Sequence, residues 1–306
     1  MTSAVIDPAP HALLRPRIVL PFVLVALIWG STWYVITGQI SEVPASWSVT
    51  YRFAMATPAM FVVALVMRQS LRLGRAGQML ALLIGVTQFC GNFNFVYRAE
   101  SHLTSGVVAV MFGMLMVPNA LLGHWLLGQQ VTRRFLIGSA VAIAGIALLL
   151  VHEAQSVRLG GNVWLGIVLT VGGILSASIA NVVQANETGR SLPMVSLLAW
   201  AMLYGTVIDA GLAWITTGAP VFPADPAFWA GTAWLALAGS VVTFPLYYGI
   251  VREIGPGRAA YNGVLVIVIA MLISTFVEGY DWSLLAAAGA VLGTAGMIVA
   301  LRARQA

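Results

Sequence analysis

The stretch from residue 78 to residue 127 constrains this chain most, because two apolar runs, 78–97 and 102–127, are separated by only a short polar connection. From Leu103 to Leu127 the one ionisable residue is His124. In water a helical hairpin of this kind would expose too much hydrocarbon, so the bilayer is its natural solvent. The first run still carries Gln88, Asn92 and Asn94. An amide inside a span needs either a partner or a water-filled cavity, which makes these residues informative.

The pattern recurs along the whole chain. Apolar runs lie at 18–38, 47–67, 78–97, 102–127, 133–151, 162–184, 193–216, 227–250, 256–277 and 282–301, divided by Pro44, the Arg68–Arg75 segment, Gly160-Gly161, Pro193, Pro220–Pro226 and Gly255-Pro256-Gly257. Of 306 residues, 60% are hydrophobic and only 8% charged. At about 20 apolar residues per span, ten spans leave no room for a sizeable soluble domain. The expected fold is an all-α integral membrane protein of ten transmembrane helices. Residues 1–17 hold three prolines and read as a disordered cytoplasmic tail. They lack a short apolar region followed by a small-residue cleavage site, so the first run is expected to remain as a span.

All 15 basic residues are arginine. They sit between apolar runs and form no soluble patch, so no nucleic-acid partner is expected. With the N-terminus inside, 12 arginines fall on the inner side and two, Arg98 and Arg158, on the outer; Arg52 lies within the second run. That asymmetry predicts cytoplasmic termini in a bacterial inner membrane. The single Cys90 excludes an internal disulfide framework.

Shifting the chain by 154 residues sets Gly85 on Gly239, and shifting it by 151 sets Gly128 on Gly279 and Ala144-Gly145 on Ala295-Gly296. Two five-helix units follow, at 18–151 and 162–301. Because five is odd, the second unit enters the membrane with opposite polarity, an inverted repeat that favours alternating access.

Trp29-Gly30-Ser31, Arg52-Phe53, Pro118, Gly255-Pro256-Gly257-Arg258-Ala259-Ala260 and the Ala-Gly pairs at 144 and 295 resemble the EamA-type branch of the drug/metabolite transporter superfamily. Within that branch the chain is similar to YddG-type aromatic amino acid exporters. The resemblance implies ten helices, inverted repeats and a central cavity lined mainly by spans 1, 3, 4, 6, 8 and 9. The chain departs from many members in having Gln129 after Gly128, with Glu278 preceding Gly279 in the second half.

Gln88 and Asn92 are four residues apart and share a helix face, suited either to interhelical bonding or to a cavity wall for a zwitterion. Asn94 points elsewhere and reads as interhelical glue. Ser240, Thr243 and Tyr247, with Tyr248 beside them, form a hydroxyl and aromatic stripe that would accept an aromatic side chain or simply pack. Asn181 recurs at helical spacing with Ser178 and Gln184. Trp33 is a candidate lid, and Trp29 reads by default as an interface anchor. His102 sits at the outer mouth of the fourth span, either touching substrate or exposed in its loop. Arg52 reads as a snorkelling or structurally paired cation. Gly85, Gly91, Gly239 and Gly249 are expected to allow close helix approach or bending.

No HExxH, no GxSxG and no paired mid-span carboxylates occur, so an enzyme is not expected, nor any cofactor or metal. Spans 1, 3, 4, 6, 8 and 9 carry no mid-depth acid that could exchange a proton for a cationic drug. The expected protein is a facilitated exporter of small neutral metabolites, with aromatic and other neutral amino acids as the substrate, the lipid bilayer as surroundings and a monomer as the working expectation. Spans 3, 4, 8 and 9 would form the moving gate. The competing reading is a proton-coupled efflux pump for a different substrate.

Overall fold

A computed structural model describes residues 16–128, 130–155, 162–254, 259 and 261–303. The tail before Pro16, Gln129, Arg158, Gly160-Gly161, residues 255–258, Ala260 and Arg304 lie outside the described residues, and so do the expectations placed on them. The described chain is helical, without strands.

Among the described residues, eight helices are long and apolar enough to cross a membrane: α1 (Pro16–Glu42), α2 (Ala45–Val66), α3 (Gly74–Ala99), α4 (Ser105–Leu127), α5 (Arg133–His152), α6 (Val163–Gln184), α7 (Met194–Thr217) and α8 (Pro226–Ile250). Two further apolar helices, α9 (Tyr261–Phe276) and α10 (Leu284–Ala303), are shorter. Their ends follow local chemistry. Asn162 accepts from Leu165 N–H to cap α6, and Asp225 accepts from Ala227 N–H to cap α8 just before Pro226. Gly128 closes α4, and its counterpart in the 151-residue register, Gly279, has the same left-handed φ of 67°.

Three segments depart from regular α-winding. Gly85–Asn92 in α3 and Trp234–Val242 in α8 are π-helical, and Gly113–Leu115 interrupts α4 as a 3₁₀ turn. Wider π turns leave carbonyls for other donors. Ser240 Oγ donates to Leu235 O, five residues back, at 3.0 Å. Backbone of this kind at membrane depth persists where it is buried in protein or borders a cavity.

Helix partners follow an exchange between the two halves. Helix α5 lies against α10, α2 against α7 and α4 against α9; α1 contacts α8 and α9, while α6 contacts α3 and α4. The α5–α10 seam is the tightest: a Cβ on Gly145 would strike the Gly289 and Gly293 backbone, and one on Gly296 the Gly138 and Ala142 backbone. In lipid, where burial of apolar surface drives nothing, such small-residue contact is what holds helices together. Gly85 presses on the Ala201 carbonyl, Gly91 on Ser176 and Gly239 on Thr32, as close approach requires. Gly249 differs from that expectation. A Cβ there would meet nothing within 4 Å.

Candidate functional site

The helices enclose a cavity of about 770 Å³. Its wall comes mainly from α1, α3, α4, α6, α8 and α9, with single contributions from α2 (Arg52) and α10 (Met297) and a floor from the start of α7. It runs from Arg52 and Val96 to the exposed Arg190, so its mouth lies at the α6–α7 connection. Among the described residues no Asp or Glu lines it.

Six sequence-predicted residues meet on this wall: Trp33, Gln88, Asn92, Asn181, Tyr247 and Tyr248. Among the described residues Gln88 makes no hydrogen bond, and Asn92 Oδ1 and Trp33 Nε1 are buried without a partner. Buried polar atoms of this kind are expensive unless a ligand or water completes them. Tyr248 OH donates to Asn181 Oδ1 at 3.4 Å and accepts from Gln184 Nε2 at 2.9 Å, which fixes the α6–α8 corner. Tyr247 stands free of such bonds, its ring 5.0 Å from that of Trp29.

Three predicted residues lie off the wall. Ser240 is fully buried, and π-winding turns it towards α2, where its Oγ accepts from Arg52 Nε and Nη2 at 3.2 Å each. Thr243 bonds back to the Gly239 carbonyl four residues earlier. Its hydroxyl therefore serves the helix. His102 sits outside the cavity in the α3–α4 connection, where Nδ1 accepts from Asn162 N–H at 3.3 Å. In α6, Ser178 is fully buried and only Asn181 and Gln184 reach the cavity. Asn94 is the expected glue: its Nδ2 donates to Asp209 Oδ1 at 2.7 Å, tying α3 to α7.

The wall also contains residues the sequence pointed elsewhere. Trp29 is no belt anchor, since its ring borders the cavity and Nε1 donates to Gly239 O at 3.2 Å. Phe112 packs on Trp33, and Phe244 on Trp29, giving the cavity an aromatic side. Arg52, 2% exposed, reaches the wall from α2 instead of snorkelling. Only its place in a cavity enclosed by distant helices reveals this, and helical spacing carries no signal for it.

Two acids act on each other at the α3–α4 and α9–α10 connections. Ser105 Oγ donates to Glu278 at 2.7 Å, and Glu100, 4% exposed, has no hydrogen bond to either carboxylate oxygen. Burial and then repulsion from Glu278 push Glu100 well above the usual 4.5, against a smaller opposing pull from Arg52. The folded chain therefore keeps a proton that the unfolded chain releases, so stability is fullest below the ordinary carboxylate range and falls as pH rises towards the folded value. Glu100→Gln, which mimics the protonated acid, is expected to flatten the melting temperature between pH 5 and pH 8 in detergent. An unchanged pH slope would contradict this.

Residues 17–151 match the EamA-like transporter family. That match lies within the first half of the chain. Relatives cover nearly all of the chain. Protein PagO of Salmonella typhimurium is 20% identical over 85% of this chain and 84% of its own. The uncharacterized inner membrane transporter YedA of Escherichia coli is 26% identical over 83% and 80%. A probable amino-acid metabolite efflux pump of Salmonella typhimurium is 22% identical over 90% and 92%. A crystal structure superposes with a TM-score of 0.67 over 94% of this chain and 97% of that one, at 17% identity, a likeness of fold. The chain is a multi-pass membrane protein whose matched family and relatives are transporters, not enzymes.

Proposed function

We propose that this EamA-type protein exports amino acids with aromatic or other neutral side chains across the bacterial inner membrane, in the manner of YddG-type exporters. The carrying observation is the cavity itself. Its lining combines the rings of Trp29, Phe112, Phe244 and Tyr247 with the amides of Gln88 and Asn92. An aromatic side chain and a polar amino acid head match those two kinds of lining. The relative named as an amino-acid metabolite efflux pump agrees with this class.

The shorter α9 and α10 complete ten spans, arranged as two inverted five-helix repeats with cytoplasmic termini. Support comes from the exchange of helix partners between halves and from π segments in the middle of both α3 and α8. On that orientation the mouth at Arg190 faces the cytoplasm, where an exporter loads. Helices α3, α4, α8 and α9 then move to open the other side. With no acid among the described residues of the wall, transport runs down the substrate gradient.

Uptake of labelled phenylalanine, tryptophan, threonine and a quaternary cationic drug into proteoliposomes, with and without a pH gradient, tests this. Saturable amino acid flux indifferent to the gradient is expected. Gradient-driven flux of the cation alone would replace this reading with a proton-coupled efflux pump.

A further inference from the structure

The guanidinium of Arg52 is a buried cation inside a membrane helix bundle, and among the described residues it has no ion pair. Its acceptors are all neutral: Ser240 Oγ at 3.2 Å, Tyr97 OH at 3.4 Å and the Gly239 carbonyl at 3.4 Å. These are long for bonds to a full positive charge, which run to about 2.7–2.9 Å when the acceptor is a carboxylate. The rings of Phe93, 4.4 Å from the guanidinium carbon, and of Phe53, at 5.4 Å, add cation–π attraction without neutralising it. Glu100 acts on Arg52 from a distance, and burial and Glu278 together favour its neutral form. An unpaired charge at such depth is costly and marks a functional position. Arg52 borders the same cavity as Asn92, whose Oδ1 lacks a donor.

We propose that Arg52 is the anion-binding residue of the cavity: transported molecules carry a carboxylate that its guanidinium takes, while a donor group of the same molecule meets Asn92 Oδ1. The assignment rests on the cavity being the transport site. It narrows the substrate class, because an aromatic amine or amide of equal size fits the walls yet leaves the arginine uncompensated. The planar fork of arginine suits a carboxylate in a way that a lysine ammonium does not. Ser240 and Tyr97 hold the fork in place and act as positioning residues.

Matched acids and amides provide the test: phenylalanine against phenylalaninamide, and 3-phenylpropionate against 3-phenylpropionamide, titrated into the purified full chain in detergent. The wild type is expected to bind each acid at least about tenfold more tightly than its amide, the order set by one charge-assisted pair. Arg52→Gln should bring that ratio close to one while leaving amide binding intact, and Arg52→Lys should retain part of it. A second measurement needs no variant: in the wild type the acids, and not the amides, should shield Arg52 from modification by phenylglyoxal, read by peptide mass spectrometry. Acids that bind no better than amides to the wild type, or a folded Arg52→Gln that keeps the wild-type ratio, would overturn the assignment. Should 3-phenylpropionate bind as tightly as phenylalanine with the ratio lost in Arg52→Gln, Arg52 keeps its role and the amino acid reading fails instead.

Discussion

Leucine at Gly145 or Gly296 is expected to abolish recovery of folded protein, whereas leucine at Gly249 leaves it intact. At the first two positions the new side chain meets main-chain atoms of the facing helix, which cannot step aside as a flexible side chain can. Overpacking of an ordinary core costs about 1–3 kcal/mol. Here the α5–α10 axes must separate, so the seam as a whole is lost and the cost lies at or above the top of that range. At Gly249 no atom stands within 4 Å of the added carbon. Yield of monodisperse protein in mild detergent, followed by its melting temperature, distinguishes the cases. Equal recovery of Gly145→Leu and Gly249→Leu would show that close contact of α5 and α10 is dispensable.

The second large effect is on transport. Tyr247→Ala removes a ring that lies tilted against Trp29 on the cavity wall and makes no hydrogen bond to other side chains among the described residues. Losing that apolar contact should weaken aromatic substrates by about 2 kcal/mol, roughly thirtyfold in affinity. Threonine, which fills little of the aromatic side, should change far less. Competition between labelled phenylalanine and threonine in proteoliposomes reads both at once. An equal fall for the two would assign Tyr247 to packing.

The spans were legible because a run of hydrocarbon is a local property: each described helix of more than five residues falls on an apolar run, and Pro193, Pro226 and Gly128 mark ends that one residue can set. Gln88 and Asn92 were legible for the same reason, since spacing alone puts them on one face. Ser240 was misjudged because α8 is not α-helical there. A helical wheel drawn with regular winding sets Ser240 beside Thr243 and Tyr247, whereas the π turn swings it to Arg52. Trp29, and the snorkelling alternative for Arg52, went against the structure for another reason. Whether a tryptophan or an arginine faces lipid, a partner or a cavity depends on helices far away in the chain, and no window of residues contains that information.

The carbonyl of Gly239 collects Thr243 Oγ1 at 2.8 Å, Trp29 Nε1 at 3.2 Å and Arg52 Nη2 at 3.4 Å. One oxygen thus anchors donors from three helices, at the point where α8 is wound most loosely. A change of winding that turned this oxygen aside would release an aromatic wall and a guanidinium in a single event. Shape and charge in the cavity are therefore mechanically one variable, and a shift in α8 retunes both what fits there and what is held there.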